Sequence, residues 1–156
     1  MAPPRKHETD VILDAARDLV LRGGPRAAGV AAIAEASGAP VGTLYHRFGN
    51  RDGILSATWL RALDRFQARA VAAGADTSLE SAVAMAVSAI DFAREFGDDA
   101  RLLLTIRPAD LIDADTGGEL AEAIRTRNAP LSERIREFAI ELYGADDPRS
   151  VDAVTR

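Results

Sequence analysis

Val11, Ile12, Ala15, Ala16, Leu19 and Val20 recur at the spacing of one helical face, which predicts a first helix from about His7 to Arg22. Gly23 and Gly24 end it, since glycine tolerates the backbone angles that close a last turn. Two short helices follow, about Val30 to Ser37 and Val41 to Phe48, with only Gly38, Ala39 and Pro40 between them. So short a joint forces a sharp turn. Asn50 is placed to cap a long fourth helix reaching about Ala73, where Gly74 closes it. Its apolar positions Ile54, Leu55, Leu60, Leu63 and Phe66 suit a helix that joins a head to a body. Thr77 followed by Glu80 has the spacing of a capping box and opens a fifth helix to about Phe96. Further helices are expected over Asp99 to Ile106 and Glu119 to Tyr143, the latter kinked or interrupted by Pro130. Asp147 and Pro148 form a cap and first-position pair, so a helix begins there and meets Arg156 within about two turns. The expectation is a chain cut at that point or lacking its last helices, because so short a helix has little stability unless it docks.

No stretch alternates apolar and polar residues for long, so the fold class is all-α: an N-terminal helix-turn-helix head of three helices, followed by a helical-bundle body. The division falls at 1–50 and 51–156. The segment from Val30 to Phe48 meets the steric demands of a helix-turn-helix position by position. Ile33 and Leu44 are the buried contacts between its helices, Ala34 is small where they cross, and Gly38 supplies a positive φ that a Cβ would resist. At helical spacing Leu44 and Phe48 face the head's own core.

Composition removes several classes of function. Zero cysteines exclude disulfides and thiolate metal sites, and His7 and His46 are too few for a histidine-rich one. Carboxylate-only metal sites stay open; no cofactor is expected. There is no run of about eighteen apolar residues and no apolar signal segment after Met1 to Lys6, so no membrane association and a cytoplasmic location are expected. The net charge of −5 looks wrong for a nucleic-acid binder until it is divided. Residues 1–51 carry seven basic and five acidic side chains, a net +2, and residues 52–156 carry twelve and nineteen, a net −7. A weakly basic head on an acidic body suits contact with DNA at one end only.

Together, Ile33-Ala34, Ser37-Gly38, Gly42-Thr43-Leu44-Tyr45, Phe48 and Asn50-Arg51 leading to Ile54-Leu55 resemble the TetR family over about residues 7–60. The resemblance implies a homodimer on a palindromic double-stranded DNA operator, usually repressing, with bodies that dimerise and hold a small-molecule inducer. By the same resemblance Val41, Gly42, Thr43 and His46 approach base edges, the Val41 and Thr43 methyls suiting thymine. Thr43 and Tyr45 hydroxyls, with Arg47 and Arg51, are phosphate contacts that set register. The chain departs from the pattern at Gly29 and Pro40, which replace hydroxyl caps, and at Ala31, too short to reach DNA. The family's last helices form the contact between subunits, so these 156 residues are expected to dimerise poorly while the full-length protein is a dimer.

Trp59, Phe66, Phe92, Phe96 and Leu103 are candidates for lining an inducer pocket, although such residues in helical bundles are more often core. Arg101 and Arg107 suit either an anionic inducer or solvated surface. An enzyme is the rival reading, with His46 and Asp52, Asp98-Asp99 or Asp113-Asp115 as acid-base or metal groups. No nucleophile with its base, and no phosphate loop, accompanies them, and acidic pairs near helix ends are normally solvated caps. A protein-interaction module without DNA function is the second rival; discrete, salt-sensitive sites in a gel shift separate the two.

Overall fold

The computed structural model describes residues 5–111 and 117–143. The described part is helical without a strand: α1 (Arg5–Gly23), a 3-10 turn (Pro25–Ala27), α2 (Val30–Ser37), α3 (Val41–Phe48), α4 (Arg51–Ala73), α5 (Leu79–Glu95), α6 (Gly97–Thr105), α7 (Pro108–Leu111) and α8 (Gly117–Tyr143). No described helix is long and apolar enough to cross a membrane.

Local chemistry explains most boundaries. Asn50 caps α4 by accepting from the Gly53 amide at 2.8 Å. Helix α5 is capped one residue later than the Thr77 spacing predicts: the Ser78 hydroxyl accepts from the Ser81 amide at 3.1 Å. Asp76 settles that choice by accepting from the Ser78 amide at 2.9 Å and the Ser81 hydroxyl at 2.7 Å. Pro130 does not interrupt α8. Both Pro130 and Thr126, whose carbonyl loses its amide partner, are on the exposed side, where water can satisfy that oxygen. Helix α6 begins two residues before the expected Asp99, and α7 is a short addition. The helix expected from Pro148 lies outside the described residues.

Helix α4 is the axle, packing against α1, α5, α6, α7 and α8. One core runs through the head and on into the body: Ile12, Val20, Ile33 and Leu44 belong to it together with Ile54, Leu55, Trp59, Leu102 and Leu111. The expected contacts at Ile33, Ala34 and Leu44 are buried, and Phe48 is partly buried against them. Because the apolar seam crosses α4 without a break, the head's orientation is set by what α1 and α4 touch in the body.

Candidate DNA-binding face

The turn between α2 and α3 rests on Gly38, which adopts the left-handed conformation at φ +69°. Ser37 fastens the same turn, its hydroxyl donating to the Ala34 carbonyl at 3.4 Å and accepting from the Ala39 amide at 3.3 Å. Helix α3 then starts without a side-chain cap; the Thr43 and Leu44 amides in its first turn donate to the Pro40 carbonyl at 2.9 and 3.3 Å. Gly29 likewise caps α2 without a side-chain bond, so the two hydroxyl caps absent from the sequence are absent from the geometry. At the far end of α3 a Cβ on Gly53 would run into the Phe48 carbonyl, so the close approach of α4 to α3 requires glycine there.

Leu44 is fully buried, whereas Val41 (44% exposed) and Tyr45 (52%) on the same helix are open. Gly42 and His46 are also exposed, and Thr43 and Arg47 are half-buried on the flank. Gly42, Thr43, His46 and Arg47 border an open concavity of about 470 Å³. An α-helix with its side chains is about 10–12 Å across, which the ~12 Å width of a DNA major groove admits. Arg47 donates to the Thr9 hydroxyl at 3.0 Å, which ties α3 to α1. Ala31, on the outer side of α2, is exposed and carries nothing that reaches beyond the surface.

Arg51 departs from its expected role. Its guanidinium turns inward, donating to the Pro25 carbonyl at 2.6 Å, the Ala28 carbonyl at 3.2 Å and, more weakly, the Leu111 carbonyl at 3.4 Å, and it pairs with Asp52 at 3.0 Å. Instead of facing outward to a phosphate, it staples the 3-10 turn and the end of α7 to the start of α4. No signal in the sequence marks those carbonyls, which lie 23 to 60 positions away.

The aromatic candidates separate as well. Trp59 is core: it is 7% exposed and its indole donates to the Ile106 carbonyl at 3.1 Å. Phe96 lies beneath the guanidiniums of Arg65 and Arg69, 5.4 and 5.7 Å from its ring centre. Phe66, Phe92 and Leu103 do share an open apolar recess of about 200 Å³, and Phe66 also borders a groove of about 320 Å³ with Met85, Leu131 and Phe138. Arg101 and Arg107 are exposed and paired with Asp98 and Asp110. Asp99 contradicts the solvated-cap expectation, being 1% exposed between Arg17 and Arg65. Asp113 and Asp115 lie outside the described residues.

A short helix set at a sharp glycine turn, buried on one side by Leu44 and open on the other along Val41, Gly42, Tyr45 and His46, is the reading arrangement of a helix-turn-helix DNA-binding regulator. Residues 12–58 match the model of the bacterial regulatory proteins of the tetR family. It is similar to an HTH-type transcriptional repressor, ComR, of Escherichia coli (strain K12), at 30% identity over 137 residues, 86% of this chain and 65% of that protein. The chain thus spans just under two thirds of that relative's length. A solved TetR-family transcriptional regulator from Streptomyces coelicolor is similar at 19% identity with a TM-score of 0.48, over 94% of this chain and 92% of that one.

Proposed function

We infer that the chain is a transcriptional regulator that places α3 in the major groove of a DNA operator. The observation that carries this reading is the division of α3 into a buried side at Leu44 and an open side at Val41, Gly42, Tyr45 and His46, on a turn built by Gly38. Val41, Gly42, Thr43 and His46 meet base edges; Thr43, Tyr45 and Arg47 hold the backbone. Repression is the favoured outcome of binding, supported by the similarity to a transcriptional repressor. Two copies on a palindromic site, about 34 Å apart, follow from the arrangement helix-turn-helix proteins use. The head is residues 1–50 and the body residues 51–156. A small apolar inducer is accommodated by the recess at Phe66, Phe92 and Leu103. The chain acts in the cytoplasm and has no catalytic role.

A gel shift with mixed genomic fragments tests the reading. The chain should retain discrete fragments and release them as salt rises, because each phosphate contact displaces a counterion. Retention of no fragment, or retention indifferent to salt, would contradict it.

A further inference from the structure

Among the described residues, a cluster of charged side chains lies between the head and the body, away from the proposed DNA-binding face. Helix α1 presents Asp10, Asp14 and Asp18 along one line, and α4 presents Arg61 and Arg65 opposite. Arg61 donates to Asp14 at 2.6 Å and to Asp10 at 3.1 Å. At the centre is Asp99 of α6, whose two carboxylate oxygens are divided between elements: Oδ1 accepts from Arg17 of α1 at 2.7 Å and Oδ2 from Arg65 of α4 at 2.6 Å. Its side chain is 1% exposed, and Arg17, 15% exposed, is further held by Asp14 and Asp18.

A buried carboxylate shared by two guanidiniums from different helices fixes their relative position closely, because moving either helix strands a charge away from water. Apolar packing has no comparable directionality. Helix α1 therefore meets α6 through an oriented ionic joint and α4 through further ion pairs of Arg61 and Arg65, beside the apolar core it shares with α2 and α4. The joint also connects to the reading helix. Arg17 stands eight residues, about 12 Å, along α1 from Thr9, and Thr9 accepts from Arg47 of α3. From these contacts we propose that Asp99 is a positioning residue for DNA binding: through Arg17 and Arg65 it sets the angle at which the body carries α1, and with it α3. This rests on the proposed DNA-binding function, but its structural half is measurable without DNA.

Trp59 is the sole tryptophan, and its indole is bonded to Ile106 just beyond the end of α6. Its quenching by acrylamide reports whether α6 stays seated. The duplex for the binding arm is one selected from a random pool by the parent chain. Arg17→Met keeps the stem and removes the charge, and Asp99→Asn keeps the shape. Both should retain helical circular dichroism, raise the quenching constant about twofold, and weaken binding of the selected duplex about tenfold or more. Arg17→Lys, which keeps a cation facing Asp99, should remain within about threefold of the parent. A merely structural role would lower stability in all three without rescue by lysine. If Asp99→Asn does not fold, Arg17→Met and Arg17→Lys decide the matter alone. Folded Arg17→Met with parental quenching and parental affinity overturns the proposal. A parent that selects no duplex contradicts the DNA-binding reading instead, and the quenching arm still decides whether Asp99 seats α6.

Discussion

The side chains of α3 are proposed to divide into those that discriminate bases and those that anchor the backbone, and the division has separate consequences. Tyr45 is exposed and its hydroxyl is proposed to meet a phosphate, so Tyr45→Phe should weaken binding to all sequences alike; a change in base preference in a binding-site selection would contradict that role. Arg51 leads to a different expectation from the one its position in the sequence suggests. With its guanidinium donating to the Pro25 and Ala28 carbonyls, Arg51→Ala should destabilise the head by roughly 1.5–3 kcal/mol, the range for hydrogen bonds to charged groups. Chemical denaturation measures it, and an unchanged midpoint would mean that the staple contributes nothing. The burial of Leu44 was legible from helical periodicity, and the outward placement of Val41, Tyr45 and His46 from the family resemblance. The direction of Arg51 was not, because a long side chain chooses among partners, such as Leu111, that only the folded chain brings near. Asp99 was illegible for the same reason, standing 82 positions from Arg17.

At the level of elements, two glycines carry the geometry of the head. Gly38→Val should cost more than ~1 kcal/mol, since a β-branched residue is strained at φ +69°. Gly53→Ala should also destabilise, by roughly 1–3 kcal/mol, although alanine is the better helix former, because its methyl meets the Phe48 carbonyl. Thermal melts test both, and a stabilised Gly53→Ala would place α3 further from α4 than described. The start of α5 offers a check by titration. Hydrogen bonds from Ser78 and Ser81 hold the Asp76 carboxyl down at about 2. An NMR titration should find it among the lowest carboxyls of the chain, and Ser81→Ala should raise it; an ordinary value would contradict the capping arrangement. Helix order was readable because glycines and caps punctuate it, as Asn50 does for α4. The exact cap of α5 was not, since Thr77 and Ser78 are chemically equivalent and only the position of Asp76 separates them. Pro130 misled because its effect depends on which side of α8 it occupies.

Across the whole molecule, head and body share an apolar seam and an ionic joint, and acid should act on the second. Burial pushes the Asp99 carboxyl up, but the bonds and charges of Arg17 and Arg65 outweigh it and hold the carboxyl below its ordinary value of about 3.9. A depressed folded value means that the joint's stabilisation is complete above the ordinary range and is lost as pH falls through the lower value. Asp10, Asp14, Asp18 and Arg61 also face this joint. Trp59 emission should therefore hold steady from neutrality down to about pH 4 and change only below it; a transition nearer neutrality would contradict the paired Asp99. The central claim is that the open side of α3 reads DNA, and parallel binding-site selections with the parent chain and His46→Ala test it most directly. One consensus is expected for both, with preference relaxed in the variant at a single base pair of each half-site by about 1–3 kcal/mol. Two consensus sequences identical at every position, or no consensus from the parent, would contradict it.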